Sequence, residues 1–156
     1  MECPHIPYSK ASKRLYFLRL LKRSEVDHAS LLTVYTTCIR SVLEYGCQTW
    51  NVGIPQYLSE EVERIQRRAL RIIYPHLSYR QASETTHLPT LSLRRDNLCR
   101  SHFNKLMNPN HKIHFLLPEE RNNNLRNNDN FTNFRCRTSR FKNCFIPSIV
   151  VLFNDT

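Results

Sequence analysis

Two glycines in 156 residues limit what this chain can build. Average usage would supply about 11. With only Gly46 and Gly53 available, a P-loop, a G-x-G-x-x-G turn and a nucleophile elbow are all excluded. A meandering β-barrel or sandwich would also lack its turn glycines. The common glycine-dependent nucleotide sites are therefore out, and helices remain. The length allows one domain or two small helical units. A compact chain of this size buries roughly 68–70% of its unfolded surface, so a core is within reach. The expectation is an all-α fold: an irregular bundle of about four to five helices, an Asn-rich loop and a short C-terminal helix.

Periodicity places the helices. From Ser9 to about Arg23, Ala11, Leu15, Leu18 and Leu21 share a stripe, and Phe17 and Leu20 widen it past half the circumference. Such a helix should be contacted on more than one side, with Tyr16 and Phe17 in the core. A second helix is predicted from about His28 to Trp50, with Asp27 as N-cap. Its stripe would be Leu32, Tyr35, Ile39, Val42, Leu43, Gly46 and Trp50, with Arg40 and Glu44 paired outside it. Gly46 marks either a close approach or the helix end. The third helix separates its faces most cleanly. Ser59 would cap it, and Leu58, Val62, Ile65, Ala69, Ile72 and Ile73 would form its apolar arc. Ser78 and Gln81 have capping-box spacing for a short helix before Pro89. A further helix over Leu91 to Met107 would bury Leu91, Leu98, Phe103 and Leu106. Arg121 to Asn133 holds seven asparagines, which disfavour regular elements. The chain thus divides into a loose N-terminus (1–8), a helical body (9–118), an Asn-rich loop (119–140) and a C-terminal docking segment (141–156).

Charge is the strongest functional clue. The formal net charge is +10, with 12 basic and 7 acidic side chains in the first 80 residues and 11 and 6 in the last 76. The positive field therefore covers the whole chain, and it favours RNA or another polyanion as partner. Arg64, Arg67, Arg68 and Arg71 lie opposite the apolar arc of the third helix and would contact phosphates, partly neutralised by Glu60 and Glu63. Lys10, Lys13, Arg14, Lys22 and Arg23 form a second basic cluster, and Arg94 with Arg95 a third. Tyr16 and Phe17 interleave with the second cluster, as stacking on unpaired bases would need, although their helical spacing among leucines argues for core.

Other chemistry has little to work with. Glu44, Glu63, Glu84 and Asp96 show no spacing for acid–base work. Cys99, His102, His111 and His114 have the one metal-like spacing, a weak zinc candidate that fits no standard finger. No catalytic residue, cofactor or small-molecule substrate is expected. No secretory signal or membrane-spanning run is visible, so the chain reads as intracellular, nuclear or cytoplasmic, with free thiols rather than disulfides among its six cysteines.

Several runs resemble a known family. Lys10 to Leu18, Ile39 to Trp50, Val62 to Ile73, Leu91 with Arg94 and Arg95, and the closing Leu116-Leu117-Pro118 and Phe145-Ile146-Pro147 are similar, in order, to the region after the polymerase core in jockey-like non-LTR retrotransposon reverse transcriptases. The resemblance implies a helical thumb and post-thumb region that grips template RNA and the RNA–DNA hybrid. The family's Tyr-x-Asp-Asp motif would lie upstream, and no Asp-Asp pair occurs here. The chain would then be a non-catalytic C-terminal fragment, beginning at an incidental methionine, that retains RNA- or DNA-backbone binding. Two alternatives stand beside it: a non-functional transposon remnant, or a helical protein-interaction module built on the wide apolar face of the first helix.

Overall fold

The computed structural model describes residues 8–119 and 131–154. The expected loose N-terminus, apart from Tyr8, and residues 120–130 of the expected Asn-rich loop fall outside that range. Among the described residues the fold is all-α, with no strand. Two compact units are present. Unit 1 runs up to Tyr45 and resumes over Pro55–Arg94; unit 2 comprises Gly46–Ile54 and the chain from Arg95 onward.

Unit 1 starts with α1 (Tyr8–Arg23), which buries Ala11, Leu15 and Leu18. The helix closes with a Schellman motif: Val26 N–H bonds the Leu21 carbonyl at 3.3 Å and Glu25 N–H the Lys22 carbonyl at 3.2 Å. The left-handed position is usually glycine, but here Glu25 takes it, at φ +57°. α6 (Tyr79–Thr86) ends the same way, with His87 at φ +53°. A glycine-poor chain therefore accepts strain of about 1–2 kcal/mol at each of these ends. The expected multi-sided contact of α1 does not occur: Tyr16, Phe17 and Leu20 face solvent.

The next helix is continuous from His28 to Glu44 but changes its winding. It runs as α2 (His28–Val34), a π-helical segment (Tyr35–Arg40) and α3 (Ser41–Glu44). Asp27 caps it as expected, accepting the Ser30 N–H at 2.9 Å. The buried stripe is Leu31, Tyr35, Ile39 and Leu43, a strict four-residue repeat. In an α-helix that repeat drifts by about 40° per step. The wider π turn absorbs the drift, which is why a 100° projection put Leu32 in place of Leu31. Hydroxyls follow the carbonyls here: Thr36 and Thr37 both donate to the Thr33 carbonyl, at 3.0 and 2.7 Å, and Ser41 donates to that of Thr37.

The helix stops well before Trp50. Gly46 takes φ +62°, and a β-carbon there would meet nothing closer than Thr49 Oγ1 at 3.9 Å. Of the two roles open to Gly46, helix end is the one observed. A separate short turn, α4 (Cys47–Trp50), follows and belongs to unit 2.

α5 (Gln56–Ile73) starts three residues before the expected cap. Pro55 occupies the N-cap, so Ser59 lies inside the helix. Val62, Ile65, Ala69 and Ile73 are buried against α1 and the His28–Glu44 helix. α6 begins with the expected reciprocal capping box: Gln81 N–H bonds Ser78 Oγ at 3.3 Å, and Ser78 N–H bonds Gln81 Oε1 at 3.0 Å. α7 (Leu91–Leu106) starts in unit 1, and the division between units falls after Arg94.

Unit 2 has its own core of Cys99, Phe103, Leu106, Phe131, Ile149 and Val150. After a 3-10 turn (His114–Leu116), α8 (Ser139–Lys142) and α9 (Phe145–Asn154) supply the rest. Phe103 lies 6.0 Å from Phe131 and 4.9 Å from Phe153, centroid to centroid. Asn154 ties the segment before α8 to the helix end. Its Oδ1 accepts the Phe131 N–H at 3.2 Å, and its Nδ2 donates to the Phe131 carbonyl at 3.0 Å. Gly53 is needed for packing: a β-carbon there would fall 2.7 Å from the Asn143 carbonyl oxygen.

Candidate nucleic-acid interface

α5 carries the candidate surface in unit 1. Arg64, Arg67, Arg68 and Arg71 are all exposed and fall within about 100° of arc on an α-helix, opposite Val62, Ile65, Ala69 and Ile73. Arg64 pairs with Glu61 one turn back. Among the described residues Arg67, Arg68 and Arg71 make no ion pair. These three line a cleft of about 260 Å³ between α5 and the start of α6, with Ser78 and Tyr79 on its far wall. Arg64 and Arg67 also line a second cleft of about 530 Å³, beside Thr90 and Ser92 at the start of α7.

The expected partial neutralisation by Glu63 does not hold. Glu63 is buried, and its carboxylate is committed elsewhere. Oε2 accepts the Leu91 N–H at the first turn of α7 at 2.9 Å, and Oε1 accepts the Tyr79 hydroxyl. A carboxylate at a helix N-terminus offsets the positive end of the macrodipole there. Glu63 therefore pairs with none of the arginines, although it and Glu60 line the second cleft beside Arg64 and Arg67.

Gln66 extends this network inward and is completely buried. Its Oε1 accepts the Tyr35 hydroxyl at 2.7 Å, while Nε2 donates to Tyr79 Oη at 3.0 Å and to the Pro89 carbonyl at 2.9 Å. Tyr79, so held, lies under the Arg67 guanidinium, with Cζ 5.4 Å from the ring centroid. Sequence reasoning missed Glu63, Gln66 and Tyr79 as supports of this face. The one available signal was polar residues recurring on the apolar arc of α5.

Burial, and then the bond to Glu63, push the Tyr79 phenol up to about 12. Burial pushes the Tyr35 phenol up further. Both favour the neutral phenol in the folded state, so their contribution is whole below pH 10 and shrinks as pH rises above it. Thermal melts should accordingly fall in Tm from about pH 10 to 12. Tyr79→Phe should flatten part of that slope, leaving the part due to Tyr35. An unchanged slope in Tyr79→Phe would refute the role given to this phenol.

The other expected contacts divide. Lys10, Lys13 and Arg23 are exposed on α1. Arg14 donates to the Cys38 carbonyl in the π-helical segment, and Lys22 Nζ lies 3.0 Å from His28 Nε2. Glu44 Oε1 accepts the Arg40 Nε–H at 2.6 Å and forms an ion pair with Arg94, whose Nε lies 3.4 Å away. Arg95 is a correction. Only 1% of it is exposed, its Nε donates to Asn51 Oδ1 at 2.8 Å, and its guanidinium sits 5.7 Å from the Trp50 ring centroid. It is built into unit 2 and cannot reach a phosphate.

The zinc candidate also fails on geometry. Among the described residues no group of three or more His, Cys, Asp or Glu is placed to hold a metal. Cys99 is a buried free thiol whose Sγ bonds the Cys47 carbonyl at 3.7 Å. A hydrogen bond with the Cys47 side chain, and then burial, push its thiol well above the usual range. His114 Nδ1 donates to the Leu106 carbonyl at 2.8 Å, and His102 packs on Phe145. No helix among the described residues is long and apolar enough to cross a membrane.

Residues 8–41 match the family model of the N-terminal region of alkylated DNA repair protein alkB homolog 8. The match covers under a quarter of the chain: α1, α2, the π-helical segment and the start of α3. It is a similarity of this segment. No curated protein and no solved structure matches the chain. This finding overturns the reverse-transcriptase reading. The match takes in Lys10 to Leu18, the first run that suggested a retrotransposon polymerase, and it points to a different family. Lys10 to Leu18 and Val62 to Ile73 share a basic outer face on an apolar-striped helix, a pattern any packed basic helix can show. The thumb, the retrotransposon ancestry and the polymerase fragment are withdrawn with it.

Proposed function

We propose that unit 1 is a nucleic-acid-backbone-binding module that performs no covalent chemistry of its own. The carrying observation is the arginine face of α5: four exposed guanidiniums on one arc, three without an ion pair among the described residues, lining clefts on both sides. Guanidiniums bind phosphate oxygens in pairs and keep their charge at any physiological pH. Glu63 is engaged by the α7 N-terminus and Tyr79, while Glu61 pairs with Arg64 and Glu60 shares the second cleft, so Arg67, Arg68 and Arg71 are the guanidiniums most open to phosphate. RNA is the first strand to test, with DNA as the comparison. The alkylated-DNA-repair name of the family matched by residues 8–41 adds a nucleic-acid context within the same unit.

The test is a salt titration of binding to a labelled RNA. Each neutralised phosphate contributes a slope of about −0.7 to −0.9 in log K against log salt. Replacing Arg64, Arg67, Arg68 and Arg71 by Gln should make the slope shallower by about 2 to 2.7, from the three arginines without an ion pair. The thermal melt should fall only slightly, because all four side chains are exposed and the Arg67–Tyr79 and Arg64–Glu61 contacts are each worth about 1 kcal/mol or less. An unaltered slope in the folded variant would sink the proposal.

A further inference from the structure

α1 combines two properties that rarely share a helix. Its 16 residues include six basic side chains and no acidic one. Its outer face also exposes three large apolar residues: Tyr16 at 59%, Phe17 at 61% and Leu20 at 38%. At 100° per residue Tyr16, Leu20, Lys13 and Phe17 span one arc of about 100°, with Lys10 and Arg23 at its margins. Single exposed apolar residues need no explanation, but a cluster on one helix does.

The occupant of this face must bring negative charge and flat apolar surface together. A phosphodiester strand with unpaired bases brings both. A duplex brings the charge but hides its base faces in the stack. Ring geometry points the same way. Tyr16 and Phe17 sit 6.0 Å apart with their planes at 69°. Two rings so inclined present faces in different directions, which suits splayed, unstacked bases.

We propose that α1 is a stacking platform for single-stranded nucleic acid, with Tyr16 and Phe17 each taking an unpaired base while Lys10, Lys13 and Arg23 hold the flanking phosphates. The inference rests on the backbone-binding reading and narrows it to single strands. Leu20 fills the space between the ring positions and adds contact that salt does not screen.

The test uses the full chain, a labelled single strand of about 15 nucleotides and the duplex of the same sequence, by fluorescence anisotropy. The single strand should bind more tightly at matched salt. The double variant Tyr16→Ala with Phe17→Ala should lose about 30-fold or more in single-strand affinity, from stacking worth roughly 1–3 kcal/mol for each of two bases. Its duplex affinity, salt slope and thermal melt should not move, because no charge and no core contact is removed. Tyr16→Phe should bind like the parent chain. Unchanged single-strand affinity in the double variant, or an equal loss for duplex, would overturn the platform while leaving the arginine face of α5 intact. Binding to neither strand by the parent chain would overturn both readings. Capture of the parent chain by anionic vesicles, lost in the double variant and without oligonucleotide affinity, would assign the face to a lipid surface instead.

Discussion

Gln66→Leu is expected to lower unfolding stability by about 2–5 kcal/mol, a large fraction of what a domain of this size holds. The side chain is completely buried and its amide joins three partners. Leucine is similar in size, so no cavity explains the loss. The cost lies in what is left behind. The Tyr35 hydroxyl loses its acceptor and the Pro89 carbonyl loses a donor, each at about 1–3 kcal/mol when buried. Tyr79 keeps its bond to Glu63 but loses its second partner, so the ring under Arg67 is held less firmly. Urea denaturation at constant m is the measurement. Adding Tyr35→Phe to Gln66→Leu removes an orphaned donor together with its lost acceptor, so the double variant should be more stable than Gln66→Leu alone. A Gln66→Leu protein within about 0.5 kcal/mol of the parent would show that the network holds nothing together.

Why the sequence revealed some of this and concealed the rest is a matter of range. Most local signals read true, the Ser59 cap excepted. The Ser78–Gln81 box, the Asp27 cap, the Arg40–Glu44 pair and the helix stop before Pro89 all depend on residues within four positions of each other. The all-α class followed from glycine scarcity, because β-hairpins and meanders lean on glycine at their tight turns more than helix connections do. The stripe of the second helix went wrong where winding changed. A fixed 100° projection has no means of seeing a π-helical segment, so Leu31 was missed and Trp50 was carried past the end of the helix. The arginine face of α5 was legible because amphipathicity is periodic. Its supports were not, because Glu63 reaches α7 across 28 positions and Gln66 reaches Tyr35 across 31. Tyr16 and Phe17 were read as core from their leucine neighbours. Periodicity shows that a helix has an apolar arc but not how much of it a neighbouring helix covers. α1 buries only the Ala11, Leu15 and Leu18 side, and the surplus faces water.

Arg95 tests the difference between a basic residue in a sequence and a basic surface. Arg95→Ala should destabilise unit 2 by about 2–4 kcal/mol and leave affinity for RNA unchanged. Three losses add up. A fully buried side chain is deleted, so a cavity opens. Asn51 Oδ1 loses the donor 2.8 Å away, and Asn51 itself anchors Asp96 through Nδ2 at 2.7 Å. The Trp50 ring loses the cation lying against it. Arg95→Met restores volume without charge and should recover the cavity part alone, since the Asn51 oxygen stays unpaired. Hydrogen exchange is the sensitive readout: the amides of α4 and of α7 beyond Arg95 should lose protection, while those of α1 and α5 keep theirs. Arg95→Ala that left these amides protected but weakened RNA binding would reverse the assignment. Arg95 would then have to leave its buried site to meet phosphate, exposing Trp50 and Asn51 as it went. Such a rearrangement would show as loss of protection at α4 in the RNA complex of the parent chain, so the same exchange experiment distinguishes the two.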